Sequence, residues 1–336
     1  MESLLLSCMA LSSPTTCRFI PALSVPWSPR FDPDALVPPL RRAVQSLEPE
    51  RRLPLIKTSK DRMRCSRIRF LMAAALAMMA QTPDARITRL YVFGDSYSDN
   101  GAGYVDGNGP TAVAYLAQRL GFELKPSTAS ASASDSLNFA VSGASSGRGE
   151  GRKIKDALLA RGIVEQVDDF VGRVKAKRVE FAPRTTLFFL AGGLNDGRLP
   201  DGEVVTNLES EIRKLYEAGG RRFRVALLPT EILASRELGL RLNPQLRRIP
   251  AEVLAELTGA EIAISNWGSY FDGVLREPRR YGIENTTDKC AGRALFDEDA
   301  TPCAKPSAYF FYHVGHPSTA VHKVVGDKLY EELSGR

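Results

Sequence analysis

Short apolar runs alternate with amphipathic segments from about residue 90 to the end of the chain. Such short runs are typical of buried strands, and they predict strands over residues 90–93, 137–141, 185–191, 223–228 and 261–265. Apolar residues at helical spacing predict helices over residues 111–120, 154–174, 204–218, 250–258, 270–275 and 322–333.

Strands that alternate with helices favour a parallel sheet with right-handed crossover connections. Several of the predicted strands end in loops rich in Gly, Ser and Asn, notably after residues 93, 141 and 191. The carboxyl ends of parallel strands lie at one edge of the sheet, where α/β proteins bind their ligands. We therefore expect these loops to form the functional site.

The net charge of +6 comes from the first part of the chain. Residues 1–80 contain 12 of the 45 Lys and Arg residues and 6 of the 39 Asp and Glu residues, which leaves 33 of each sign for residues 81–336. A nucleic-acid-binding protein presents a basic surface. The sequence therefore does not indicate a nucleic-acid partner.

Residues 1–62 lack the pattern of a folded domain, because many prolines and scattered arginines occur without a sustained apolar period. From Met63 the order is basic, then apolar over 70–80, then small, which predicts a signal peptide over residues 63–80 and a secreted or periplasmic protein. The basic residues are Arg64, Arg67 and Arg69, and cleavage is expected after Ala77, Ala80 or Ala85.

The apolar run 70–80 is too short to cross a bilayer as a helix, so no transmembrane segment is predicted. We interpret residues 1–62 as a disordered extension or as mis-assigned upstream sequence, with translation starting at Met63. An organelle-targeting extension is the alternative. Residues 85–336 are then expected to form a single domain, and a monomer is favoured.

Two of the five cysteines, Cys290 and Cys303, lie outside the N-terminal segment. The cysteines form no CxxC pair or Cys/His cluster of the kind that binds zinc. In an exported protein, an even pair close in sequence fits one disulfide. Two buried free thiols are the alternative.

Ser96 follows the apolar run 90–93 directly and stands between Asp95 and a polar loop. A serine at the carboxyl end of a buried strand is a candidate nucleophile. Taken alone, the stretch also fits an ordinary turn with a capping serine.

All three histidines, His313, His316 and His322, lie in the last 24 residues. Their spacing, with Pro317 between them, matches no standard zinc pattern, so no metal is expected. The alternative to a catalytic role is that they are structural histidines near the start of the last helix, which Ser318 or Thr319 would cap.

Together, these motifs resemble the GDSL esterase/lipase family, also called SGNH hydrolases. The family's blocks occur in order as Gly94-Asp95-Ser96 with Ser98-Asp99-Asn100-Gly101, Asn138-Phe139-Ala140-Val141-Ser142-Gly143-Ala144, Gly193-Leu194-Asn195-Asp196, and His316-Pro317. Residues 281–290 also resemble a segment of bacterial members. The resemblance extends over about residues 88–333 and implies a three-layer α/β/α flavodoxin-like sandwich with a mainly parallel sheet.

The resemblance implies that Ser96 is the nucleophile and that His316 is its general base and acid. The implied oxyanion donors are the backbone N–H groups of Ser96 and Gly143 and the side chain of Asn195. A glycine suits this role because a residue without Cβ lets the backbone approach the substrate. For Asn195, a capping loop before the next helix is the alternative. No cofactor is implied.

The chain departs from the family at two positions. Tyr97 stands where the family's name has Leu, and His313 stands where the family has the triad Asp, three residues before His316. An imidazole cannot replace a carboxylate in stabilising an imidazolium. A backbone carbonyl could orient His316 instead, or activity could be impaired. Other acids that could replace the missing one are Asp288, Asp297 and Asp299.

The expected function is therefore a serine esterase or lipase that hydrolyses carboxylic esters through an acyl-serine intermediate. An acyltransferase on the same scaffold, or a catalytically weak carbohydrate- or lipid-binding module, is the alternative. Lipid, acylated-carbohydrate and small aryl esters all remain candidate substrates. The insertion over residues 231–250 could be a lid over an acyl pocket or, as we favour, an amphipathic surface helix.

The interpretation of the N-terminus predicts that the mature protein begins after Ala77, Ala80 or Ala85. N-terminal sequencing of the expressed protein checks this. Residues from 1–62 in the mature product would contradict it.

Overall fold

The computed structural model describes residues 86–335, which contain both strands and helices. The strands are β1 (Arg89–Gly94), β2 (Leu124–Pro126), β3 (Ser136–Asn138), β4 (Glu150–Ile154), β5 (Ala157–Arg161), β6 (Thr186–Ala191), β7 (Arg222–Ala226), β8 (Glu261–Ser265), β9 (Asn285–Lys289), β10 (Tyr309–His313) and β11 (His316–Pro317). The α-helices are α1 (Ala112–Leu120), α2 (Ile163–Lys175), α3 (Asp201–Glu217), α4 (Arg236–Leu246), α5 (Ile249–Leu254), α6 (Trp267–Arg276) and α7 (Thr319–Leu333).

The central sheet consists of six parallel strands in the order β2-β3-β1-β6-β7-β8. Apart from the short edge strand β2, this is the 2-1-3-4-5 order of flavodoxin-like sheets, so the predicted sheet is confirmed. The direction of winding reverses between β1 and β6. Ligands of such sheets bind at the carboxyl edge beside this reversal.

Helices cover both faces of the sheet. Tyr91 and Phe93 on β1 belong to the core that α2, α3, α4 and α5 cover, whereas Leu90 and Val92 belong to the core under α1, α6 and α7. All four side chains are fully buried. Burial on both faces explains the continuous apolar run in the sequence, and the predicted three-layer sandwich is confirmed.

The helix predicted over residues 154–174 is wrong in its first part, where β4 and β5 form an antiparallel hairpin that precedes α2. The apolar residues there fit either period, and long-range contacts decide between them. The Ala160 N–H donates to the Ser142 carbonyl at 2.7 Å. Gly162 lies so close to Gly147 that a Cβ would be 2.1 Å from the Gly147 carbonyl oxygen. Only a glycine admits this packing.

The insertion over residues 231–250 contains the surface helix α4, as the favoured interpretation predicts. Leu242 and Leu246 are fully buried in the core beneath α4, while Leu240 is 61% exposed on its outer side. An amphipathic helix of this kind stabilises the fold by covering apolar surface.

A small second sheet carries two of the C-terminal histidines. Its middle strand β10 pairs in parallel with β9 and antiparallel with β11, and Val314 and Gly315 form the turn between β10 and β11. Cys290, directly after β9, forms a disulfide with Cys303 in the connection that leads to β10. Of the two alternatives for these cysteines, the structure contains the disulfide.

The predicted extension 1–62 and signal peptide 63–80 lie outside the described residues and stay predictions, as does the single domain over 85–336. Within residues 86–335, no helix is long and apolar enough to span a bilayer.

Candidate active site

Ser96 lies in a tight turn at the carboxyl end of β1. The turn forms because the N–H groups of Ser98 and Asp99 donate to the Asp95 carbonyl at 3.0 Å, and the Tyr97 N–H donates to the Asp95 carboxylate at 3.1 Å. At the end of β1, a Cβ on Gly94 would lie 2.7 Å from the carbonyl oxygen of the neighbouring strand β6. A glycine therefore lets the two strands approach each other directly before the serine.

Two buried carboxylates join the loops of the first three sequence blocks. Asp99 in the serine loop accepts the Ser142 N–H at 2.9 Å, next to Gly143. Asp196, which follows Asn195, accepts the Ser146 N–H at 3.0 Å. These hydrogen bonds link the loops after β1, β3 and β6 across the reversal point of the sheet.

The three predicted oxyanion donors lie on these joined loops. The backbone N–H groups of Ser96 and Gly143 have no hydrogen-bond acceptor within residues 86–335. Gly143 has φ +79°, a left-handed conformation that a glycine adopts without strain. The Asn195 amide donates one N–H to the Ala144 carbonyl at 3.0 Å, which leaves its second N–H for a ligand.

His316 contacts the predicted nucleophile directly. Its Nε2 lies 2.9 Å from Ser96 Oγ, and its Nδ1 lies 2.9 Å from the Val314 carbonyl oxygen. A carbonyl oxygen can only accept, so the proton of neutral His316 is on Nδ1. The Nε2 lone pair therefore accepts the hydroxyl hydrogen of Ser96, which is the arrangement that a general base needs.

Burial keeps His316 in its basic form. Loss of solvent lowers the pKa of His316 below its ordinary value, and the nearby charge of Arg293 acts in the same direction. The Asp106 carboxylate opposes this shift and raises the pKa, without reversing it. At neutral pH the imidazole is neutral and able to take a proton from Ser96.

An acid that the sequence did not single out lies at this site. Asp106, in the loop between β1 and α1, accepts a hydrogen bond from His313 Nδ1 at 2.6 Å. Its second carboxylate oxygen lies 3.4 Å from His316 Nε2 and 3.4 Å from an Arg293 guanidinium nitrogen. His313 thus bonds to an acid rather than to His316.

The three loop acids predicted as replacements for the triad Asp are not at the site, and that prediction is wrong. Asp288 bonds to Asn285, and Asp297 pairs with Lys155. Asp299 accepts the backbone N–H two residues later. Asp288 and Asp299 therefore stabilise local turns, and Asp297 forms a surface ion pair with the β4–β5 hairpin. The other predicted route, orientation of His316 by a backbone carbonyl, is the one observed.

A sequence model described as GDSL-like Lipase/Acylhydrolase matches residues 90–329, which is more than half of the chain. The chain belongs to this family. The match begins at the strand before Ser96 and ends within α7, so it includes every block named above.

Several curated protein sequences are similar to this GDSL-family chain. Thermolabile hemolysin of Vibrio parahaemolyticus is 27% identical over 223 residues, which cover 58% of this chain and 50% of the hemolysin. A GDSL esterase/lipase of Arabidopsis thaliana is 24% identical, over 53% of this chain and 60% of that protein. The chain thus spans about half the length of the first relative and 60% of the second. Another Arabidopsis GDSL esterase/lipase is 23% identical over 79% of this chain and 95% of its own length.

Solved structures with a remote likeness include a lipolytic G-D-S-L family protein of Veillonella parvula, at 16% identity and a TM-score of 0.39, covering 72% of this chain and 96% of that one. The aryl esterase of M. smegmatis has 14% identity and a TM-score of 0.37, covering 74% of this chain and 98% of that one.

The other departure from the GDSL pattern, Tyr97, has a structural role at the same turn as His316. Its hydroxyl donates to the Gly315 carbonyl at 2.6 Å. Its ring packs 5.7 Å from the His316 ring and 5.3 Å from the Phe271 ring. A leucine could fill the apolar space but could not hold the turn through a hydrogen bond.

The third histidine, His322, belongs to the protein's scaffold. It is buried, its Nδ1 accepts the Ala112 N–H at the start of α1, and burial lowers its pKa to about 3. His322 therefore has the structural role that was the alternative to a catalytic role for the three histidines. Within the described range, no group of three His, Cys, Asp or Glu side chains is arranged to hold a metal ion.

The Tyr97 contact predicts that Tyr97→Phe lowers kcat for any reaction that uses the Ser96–His316 pair by roughly 5- to 30-fold, because the turn that orients His316 loses a hydrogen bond worth about 1–2 kcal/mol. Steady-state kinetics measure this. Tyr216→Phe is the matched control, since Tyr216 also donates to a backbone carbonyl, that of Thr258, but on the exposed surface. An unchanged kcat in Tyr97→Phe would show that the turn is held without this hydroxyl.

Proposed function

We propose that the protein hydrolyses carboxylic esters, with Ser96 as the nucleophile and His316 as the general base and acid. The observation that carries this proposal is the 2.9 Å contact between Ser96 Oγ and an imidazole nitrogen whose partner nitrogen is fixed by a carbonyl. Membership of the GDSL-like lipase/acylhydrolase family supports the same reaction class.

In the acylation step, Ser96 Oγ attacks the ester carbonyl while its proton moves to His316 Nε2. The carbonyl oxygen becomes an oxyanion, which the free N–H groups of Ser96 and Gly143 and the second amide hydrogen of Asn195 stabilise. His316 then gives its proton to the leaving alcohol oxygen as the C–O bond breaks. An acyl-serine remains.

In the deacylation step, a water molecule takes the place of the alcohol. His316 removes a proton from the water, the resulting hydroxide attacks the acyl carbonyl, and the proton returns to Ser96 Oγ as the acid departs. Both steps use His316 in the same orientation, because Val314 holds Nδ1 throughout.

An apolar groove beside the Val314–Gly315 turn indicates where an acyl chain would bind. The groove has a volume of about 270 Å³, and Leu233 and Val314 on its walls are 85% and 58% exposed. Its other lining residues are Ile232, Ala234, Thr287, Lys289, Phe311 and Gly315. Large exposed apolar side chains are typical of binding surfaces when they cluster. We therefore favour esters with longer acyl chains over acetyl esters.

Two alternatives would have different products. An acyltransferase on this scaffold would give an acylated acceptor alcohol in place of the free acid. A catalytically weak carbohydrate- or lipid-binding module would bind ligand without turnover. The Ser96–His316 contact favours turnover over binding alone.

Export directed by residues 63–80 is part of the same proposal, supported by the order of basic, apolar and small residues.

The mechanism predicts that Ser96→Ala lowers kcat for p-nitrophenyl esters by about 10³-fold or more, because no acyl-enzyme can form. The assay uses the native protein and both serine variants. Ser98→Ala, two positions from Ser96, is the matched control. It removes a buried hydroxyl that has no hydrogen-bond partner among the described residues. Equal turnover by Ser96→Ala and the native protein would exclude Ser96 as the nucleophile.

The groove predicts that Leu233→Ser lowers kcat/KM for an octanoyl ester by about 10-fold, because an apolar contact worth about 1.5 kcal/mol or more is lost. The acetyl ester should be unaffected. Leu240→Ser is the control, because Leu240 is 61% exposed but does not line the groove. An equal fall for both esters would place the acyl chain elsewhere.

A further inference from the structure

Asp106 lies on the serine side of His316, not on the Nδ1 side where a triad acid lies. The side chain of Asp106 is only 6% exposed, and its Oδ2 lies 3.4 Å from His316 Nε2. The Nδ1 side is occupied by the Val314 carbonyl. The nearest carboxylate therefore faces the atom that gains and loses the proton, and it cannot orient the ring in the ordinary way.

The Asp106 carboxylate is ionised at neutral pH. Burial alone would raise its pKa, but the hydrogen bond from His313, the positive charge that His316 carries when it is protonated, and the charge of Arg293 outweigh burial and lower it. The negative charge is therefore present whenever His316 accepts a proton.

We propose that Asp106 stabilises the protonated form of His316 during catalysis and that His313 holds Asp106 in position for this task. The inference rests on the proposed ester hydrolysis by Ser96 and His316. At the position where the family has its triad acid, this chain would then have His313, which positions Asp106 from another loop.

The contact strengthens as the reaction proceeds. In the resting enzyme the Nε2 lone pair points to the Ser96 hydroxyl, and the carboxylate gains little from it. When Nε2 takes the proton, a positive imidazolium lies 3.4 Å from Asp106 in a site with little solvent. An interaction that is stronger in the transition state than in the ground state raises the rate of the chemical step.

Three anchors fix the loop that carries Asp106. His313 donates to Oδ1 at 2.6 Å. Asn108 accepts the Thr319 N–H at 2.8 Å, and the Thr319 hydroxyl donates to the Pro110 carbonyl at 2.9 Å. The loop is thus fastened to the same hairpin and helix start that carry His316, so the distance between the two groups is set locally.

The charged and titratable groups around His316 come from several elements. Asp106 raises its pKa, whereas Arg293 from the disulfide-closed segment and His313 from β10 lower it. Tyr97 packs against its ring, and the ring of buried His322 lies 6.2 Å from the Tyr97 ring. Glu298 lies 3.8 Å from the Arg293 guanidinium and so acts through that residue. Removing Asp106 and removing Arg293 should therefore shift the His316 titration in opposite directions.

The first test measures kcat, KM and the pH profile of kcat/KM for Asp106→Asn. We expect kcat to fall roughly 100-fold with little change in KM, less than the loss of about 10⁴ for a triad acid that also orients the ring. The acidic limb of the profile should move to lower pH, because the carboxylate no longer raises the His316 pKa. In Arg293→Gln the same limb should move to higher pH.

The second test addresses His313. His313→Leu should resemble Asp106→Asn, whereas His313→Asn, which keeps an N–H donor, should restore most of the rate. Asp297→Asn is the matched control, because it makes the same chemical change at an exposed carboxylate paired with Lys155. If Asp106→Asn does not fold, Asp106→Glu provides the pH-profile measurement.

The outcomes separate this inference from the proposed function. If Asp106→Asn turns over at the native rate and its acidic limb does not shift, the role of Asp106 is overturned, even when thermal stability falls. A purely structural residue could lower thermal stability but would not change the pH at which His316 titrates. An absence of turnover by the native protein on every ester overturns the proposed hydrolysis itself, and with it this inference.

Discussion

The candidate site depends on one buried carboxylate, that of Asp99. It accepts N–H groups from Gly101 and Gly103 in its own loop at 2.8 and 3.1 Å, and from Ser142 at 2.9 Å. The first two contacts shape the loop after β1, and the third attaches the loop that carries Gly143. Buried backbone N–H groups need acceptors, and a single carboxylate here supplies them for both loops. The placement of Ser96 relative to Gly143, the proposed oxyanion donor, follows from this shared acceptor.

The histidine side of the site separates two tasks that one acid performs in a complete triad. Orientation and tautomer come from the Val314 carbonyl, within the same hairpin as His316, and Tyr97 holds that hairpin through Gly315. Negative charge comes from Asp106 on another loop. A backbone carbonyl fixes the ring but carries only a partial charge, so an ionised group elsewhere can still contribute to stabilising the imidazolium. Asp106 satisfies the geometric requirement for such a group.

The sequence predicts the parts of this molecule that depend on local pattern. β1 and β6 read as buried strands because helices cover both of their faces, and Ser96 and His316 stand in recognisable blocks. The sequence does not predict the β4–β5 hairpin, because the spacing of its apolar residues also fits a helix. The contact with Ser142 favours the hairpin over the helix. Asp106 could not be found either, since it lies 207 residues from His313. No local pattern connects two residues that only tertiary folding brings together.

The same packing that positions Ser96 works against stability near neutral pH. Burial raises the pKa of Asp95 to about 7 and that of Asp99 to about 6, from an ordinary value of 3.8. A carboxyl group whose pKa is raised by folding contributes stability below its ordinary pKa, and this contribution is lost as pH rises through the folded-state value. Between about pH 4 and 7 these groups therefore favour unfolding increasingly. The apolar layers on both sides of β1, in which every residue from Leu90 to Gly94 is buried, offset this cost.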